Sequence, residues 1–115
     1  MGAVCYNAIM HRDHDIFIAA IHGRRRVELQ FFSKEDGGIL IRSCAPMDYG
    51  PSRKYKDQLS RYHLWDYDSD EGPHSLSILP AHIRQIRTTD IEFLPVEFVK
   101  WIPRWFISRD WDTFS

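Results

Sequence analysis

The spacing of apolar positions changes along the chain, and each change marks an element. Ile16, Phe17, Ala20 and Ile21 fall on one face of a helix, which predicts a short helix over 13–22. Asp13 is placed to cap it, Asp15 sits in the first turn where the helix dipole favours negative charge, and Gly23 is the expected stop. Two turns of helix are not stable alone in water, so this face must pack on something.

After Gly23 the period falls to two. Val27, Leu29 and Phe31 alternate with Glu28, Gln30 and Phe32, the pattern of a strand with one buried face. Lys34-Glu35-Asp36-Gly37-Gly38 is a hairpin turn. A second strand is predicted from Ile39 to Pro46, with Ile39, Ile41, Ser43 and Ala45 on one face, and pairing is expected to end or weaken at Pro46, which has no N–H. Residues 48–58 read as a polar, basic loop. A third strand is predicted over Leu59–Tyr67, a turn over Asp68–Pro73 and a fourth strand over His74–Leu79. Residues 81–86 suit a turn of helix or the lead into a fifth strand, anchored by Ile83 and Ile86. Short hairpin connections imply a mainly antiparallel sheet. In the last stretch Phe98, Val99 and Ile102 suit a helical face that starts near Pro95 and stops at Pro103. Residues 1–12 show no clear period and suit a loose turn or a docking arm.

One helix followed by about five antiparallel strands is the order of a small Sm-like or SH3-like barrel. The expected fold is therefore mainly β with short helices: an antiparallel barrel with an N-terminal helix and an aromatic C-terminal extension. The chain has 115 residues, which fits one domain, with 13–88 as helix plus barrel core and 89–115 as the extension. Hydrophobic residues make up 43% and charged residues 27%, values of a globular chain rather than a disordered one. No apolar run is long enough to span a membrane, and no charged start followed by an apolar stretch suggests a secretory signal. Cys5 and Cys44 lie far apart in no metal-ligand spacing, so a reducing cytoplasm is the expected setting. The formal net charge of -1 excludes a strongly basic nucleic-acid binder but leaves room for a local basic patch.

Such a patch is legible. Arg53, Lys54, Tyr55, Lys56, Arg61, Tyr62 and His63 interleave cations with rings, and Arg24, Arg25 and Arg26 would lie nearby if the strands pair as expected. Cations follow a phosphate backbone and rings stack on bases, so single-stranded nucleic acid or a nucleotide-like ligand is the first expectation. The same residues also suit a solvated loop beside an ordinary sheet face, and the neighbouring acids would blunt the field. The aromatic C-terminus has three readings: it completes the core, it docks a protein partner or a second copy, or it stacks bases. Trp101, Arg104, Trp105, Arg109 and Trp111 have the character of interface anchors.

Catalytic and metal chemistry find little support. Asp66, Asp68, Asp70 and Glu71 suggest a calcium loop, but Glu71 stands where a glycine belongs and Ser77 where a glutamate belongs. His11 and His14 lack further ligands, and Cys44 lacks an activating group. No phosphate-cradling glycine motif occurs. The expectation is a non-catalytic accessory module with no cofactor and no metal.

Four stretches carry a resemblance. These are Ile18-Ala19-Ala20-Ile21-His22-Gly23-Arg24-Arg25-Arg26-Val27-Glu28-Leu29, then Cys44-Ala45-Pro46-Met47-Asp48-Tyr49-Gly50, then Arg61-Tyr62-His63-Leu64, then Leu76-Ser77-Ile78-Leu79-Pro80-Ala81-His82-Ile83. Together, over 16–88, they resemble a WYL domain: a helix leading through a basic turn into the first strand, a proline ending the second, and Tyr62-His63-Leu64 on the namesake triplet. The family's Trp falls on Tyr62, its Tyr on His63 and its usual Arg on His82. The resemblance implies a ligand-sensing or nucleic-acid-binding regulatory module.

Overall fold

A computed structural model describes residues 10–115. The proposed arm at 1–12 lies outside it except for its last three residues, and Cys5 lies outside it altogether. The elements are helix α1 (His14–Gly23) and strands β1 (Arg25–Ser33), β2 (Gly38–Pro51), β3 (Ser60–Asp66), β4 (His74–Ile78) and β5 (Ile83–Glu92). All strand pairs are antiparallel, and the order across the sheet is β4-β3-β2-β1-β5.

That order corrects the barrel expectation. Closure needs the two edge strands to pair, but β4 and β5 lie at opposite edges and share no ladder. The sheet is open. Its residual likeness to a WYL domain is therefore confined to an N-terminal helix followed by antiparallel strands, and the WYL assignment falls with the barrel.

α1 buries Phe17, Ala20 and Ile21, as the sequence pattern requires. Its receiving face carries Val27, Leu29 and Ile86, with Tyr62 set edge-on to Phe17 at 4.9 Å between ring centroids. Two details of the helix differ from expectation. The Asp13 side chain does not cap its own helix; its Oδ2 accepts the Ile86 N–H at 3.0 Å and ties the helix start to β5. The left-handed stop is Arg24 (φ 54), not Gly23.

In β2, Ile39, Ile41 and Ser43 share one face as expected, with Ile39 and Ile41 exposed on it, while the face toward the helix is that of Cys44, which pairs with Val27. Pairing weakens at Pro46, as expected, but does not end there. The ladder shifts register between Pro46 and Asp48, so a bulge absorbs the missing N–H and the strand continues to Pro51. Because side chains alternate with a period of two, one extra residue reverses the facing of everything beyond it. Ala45 pairs with Trp65, and beyond the bulge Asp48 pairs with His63 and Gly50 with Arg61. Asp48 and Gly50 therefore share the sheet face of Ala45, His63 and Trp65, opposite the helix.

The C-terminal segment covers that second face. No α-helix forms in it; Pro95–Glu97 is a single 3-10 turn, and Ile102, expected on one helical face with Phe98 and Val99, is 88% exposed while those two are buried. Phe98 stacks on Trp65 at 5.8 Å. Phe93, Phe98, Val99 and Trp111 are buried, and the Trp111 indole N–H donates to the Ile21 carbonyl at the helix end at 2.9 Å. The extension completes the core with these residues, and sends others outward. Among the described residues no helix is long and apolar enough to cross a membrane.

Candidate functional site

The basic-aromatic residues expected to act together are dispersed, and several are engaged within the chain. Arg61 is buried; its guanidinium donates to both carboxylate oxygens of Asp57 at 2.9 Å and lies 3.9 Å from the Tyr55 ring centroid. That bond, with the Leu59 N–H, lowers the Asp57 pKa to about 2. Tyr62 is fully buried, and its hydroxyl accepts the His11 N–H and bonds His14 Nδ1, both at 2.9 Å. Burial raises its pKa to about 12, and burial also lowers that of His14. His63 is held at both ends: Nε2 donates to the Gly50 carbonyl at 2.8 Å, which leaves Nδ1 to accept from the Ser77 hydroxyl at 2.8 Å.

The arginine triplet lies elsewhere. The β1–β2 ladder begins at Val27↔Cys44, while β2 runs on to Pro51 paired only with β3. The loop carrying Arg53, Lys54 and Lys56 therefore extends beyond the start of β1. Arg24 pairs with Asp112, Arg25 donates to the Asp90 carbonyl, and Arg26 stacks on Tyr67 at 3.7 Å. Arg24 and Arg25 thus fasten the C-terminal segment and the end of β5, and Arg26 packs on the residue that follows β3.

That segment is pinned by a buried ion pair. Asp48 accepts the Phe106 and Ile107 N–H groups, both at 2.9 Å, and the Arg109 guanidinium at 3.3 Å. Arg109 also donates to the carbonyls of Met47 and Ile107. Its side chain is fully buried between the Trp105 and Trp111 rings, 4.1 and 4.4 Å from their centroids. Burial lowers its pKa to about 10, although the Asp48 charge opposes the shift. The carboxylate satisfies two backbone donors and a cation at once, so the turn around Phe106 has a fixed position.

From this anchor the rings grade outward. Trp111 is 1% exposed and belongs to the core rather than to a free interface. Trp105 is half-buried, its indole N–H donating to the Phe114 carbonyl. Trp101 is edge-on to Trp105 at 6.2 Å and is exposed. Phe106 is 62% exposed, yet its other side rests on Gly50: a Cβ at that glycine would stand 2.4 Å from the ring. Only glycine lets the ring approach the β2 backbone this closely. Trp101, Ile102 and Phe106 thus form an apolar ridge that is held at its Phe106 end by Asp48. Beside it lies a cleft of about 270 Å³, with His63 and Ser77 on one side and Arg53 and Arg104 among its lining residues.

Sequence reasoning found Trp101, Arg104 and Trp105 as interface candidates but missed Ile102, Phe106 and Gly50. The adjacent apolar pair in the Trp101-Ile102 step was a signal; the facing of Asp48 and Gly50 was not readable without the bulge. The acidic turn is structural: Asp68 Oδ2 accepts the Ser43 N–H at 2.6 Å, and Asp66 Oδ1 the Asp68 N–H at 2.8 Å. Among the described residues no group of three or more His, Cys, Asp or Glu side chains could hold a metal. Cys44 is buried and its thiol pKa is raised, first by burial and then by Asp66 and Asp68. No protein-family model, curated protein or solved structure matches this chain.

Proposed function

We propose that this chain is a non-catalytic protein-interaction domain that engages a partner protein through the ridge of Trp101, Ile102 and Phe106. The observation that carries this reading is the pairing of exposure with rigidity. Ile102 and Phe106 face solvent, yet the Phe106 and Ile107 N–H groups are fixed by the buried Asp48–Arg109 pair. Large exposed rings on a preorganised backbone are the usual anchors of binding surfaces, because little ordering entropy is lost on association. The expected nucleic-acid surface has less support, since Arg61 and Tyr62 are buried and Arg61 is neutralised by Asp57.

The test is a comparison of partners retained by three immobilised proteins: wild type, Ile102→Ser/Phe106→Ser, and Ile41→Ser on the uncovered end of the sheet. A partner held by wild type and Ile41→Ser but lost by the ridge variant, and then reproduced with both purified proteins, supports the reading. Micromolar binding of a mixed-sequence single-stranded RNA that is lost in Arg53→Ala/Lys56→Ala but unchanged in the ridge variant would overturn it.

A further inference from the structure

The cleft beside the ridge carries a charge imbalance that narrows the partner. Its one acid, Asp48, is spent: two backbone N–H groups and Arg109 surround its carboxylate, whose side chain is 9% exposed. The two cations at the cleft, Arg53 and Arg104, are exposed and form no ion pair or hydrogen bond with any described residue. Asp57, in the same loop as Arg53, is committed to Arg61. The acidic side chains of Asp70 and Glu71 line a different depression with Arg42. The cleft therefore presents uncompensated positive charge against an apolar wall of Trp101, Ile102 and Phe106.

We infer that the cleft takes an acidic segment of a partner protein, one that sets carboxylates on Arg53 and Arg104 and an apolar side chain against Phe106. This rests on the protein-interaction reading and adds the chemistry of the occupant. Guanidinium groups match carboxylates in geometry as well as charge, and an apolar side chain seated on the ridge would exclude water from such pairs and strengthen them. Both His63 ring nitrogens are already bonded, to the Ser77 hydroxyl and the Gly50 carbonyl, so neither is free for the occupant.

The probe is a fluorescein-labelled peptide, Glu-Leu-Glu-Phe-Glu-Leu-Glu, with two counterparts in which every Glu is Gln or Lys, read by anisotropy against the full chain. The Glu peptide is expected to bind about tenfold or more tightly than the Gln peptide, and the Lys peptide not measurably. Raising NaCl from about 50 to about 300 mM should weaken the Glu peptide several-fold. Arg53→Glu/Arg104→Glu, both on exposed side chains, should erase the Glu-over-Gln preference, and Phe106→Ala should weaken both peptides about tenfold. Circular dichroism confirms that each variant is folded.

Equal binding of the Glu and Gln peptides, still sensitive to Phe106→Ala, overturns the acidic specificity and leaves the interaction reading standing. Failure of all three peptides to bind, with an unaltered wild-type ridge, counts against both. Competition by single-stranded RNA with loss in Arg53→Glu/Arg104→Glu places a nucleic acid there instead. A concentration-dependent dimer, lost both in Phe106→Ala and in Asp70→Lys/Glu71→Lys, places the acidic turn of a second copy there and overturns a distinct partner.

Discussion

Two clusters of arginine and aromatic rings lie near the same end of the sheet, and they have opposite fates. In the first, Tyr55, Asp57 and Arg61 satisfy one another: the cation has a carboxylate, a ring face and a buried position. In the second, Arg53 and Arg104 stand beside Trp101 and Phe106 with no acid to meet them. Composition alone does not separate the two. The difference is a single carboxylate, four residues from Arg61, that closes the first cluster onto itself. The same contrast recurs within the C-terminal segment. Arg109 is enclosed by Asp48 and two indoles, while Arg104 points to solvent. Completed clusters serve the fold, and the incomplete one is the surface we propose a partner covers.

The contrast can be broken most severely at Arg109. Removing it leaves the Asp48 carboxylate buried without its cation and opens a gap between Trp105 and Trp111. Arg109→Ala is expected to lose about 3–5 kcal/mol of stability, measured by urea unfolding. An Asp48→Asn/Arg109→Gln double variant should recover part of that loss, because no buried charge remains unpaired.

Alkaline pH gives the next largest effect. Tyr62 is fully buried and its pKa is raised to about 12, while that of Tyr67 is also raised by burial and by its bond to Glu97. A raised folded-state pKa contributes stability that is fully present below the ordinary phenol value near 10. It is lost as pH climbs from there to about 12, where the unfolded chain ionises and the folded one resists. Tyr62 alone accounts for about 2–3 kcal/mol of that fall. Unfolding followed at several pH values, with tyrosinate absorbance at each, checks both the window and the sign.

Gly50→Ala sharpens the link between bulge and ridge. The new methyl would overlap the Phe106 ring, so the ring must move off β2. The expected cost is about 1–3 kcal/mol, with increased hydrogen exchange confined to the Phe106 and Ile107 amides. The smallest effect is on the acid side. Burial lowers the pKa of His14, so the folded state favours the neutral ring. Stability present above the ordinary histidine value near 6.5 should decline as pH falls below it, and His14→Gln should flatten that limb of the profile.

Much of the fold is legible in local pattern. The spacing of Phe17, Ala20 and Ile21, the alternation of Val27, Leu29 and Phe31, and the hairpin at Gly37 all act over a few residues, and all appear as read. What escapes is set by distance or by parity. That Ile39 and Ile41 share a face follows from alternation, but which side of the sheet it takes is set by register partners that put them opposite the helix. The bulge after Pro46 turns Asp48 inward to Arg109, a partner 61 positions later; Pro46 marks where the ladder weakens, but nothing local announces the reversal of facing or the distant partner. The barrel failed for a similar reason: closure depends on whether the edges meet, which strand count does not determine. At the site, Trp101 and Arg104 were readable as interface candidates by type, whereas Trp111 has the same chemistry and is buried among Phe93, Phe98 and Trp105.

The most direct measurement is urea unfolding of Arg109→Ala and of Trp101→Ser/Ile102→Ser/Phe106→Ser, side by side with the wild type. The enclosed cluster should carry more stability than the open ridge: a loss of about 3–5 kcal/mol for the first against about 2 kcal/mol or less for the second. Equal losses, or a larger loss for the ridge variant, would mean that Trp101, Ile102 and Phe106 belong to the core, and the division between latch and binding surface would be wrong.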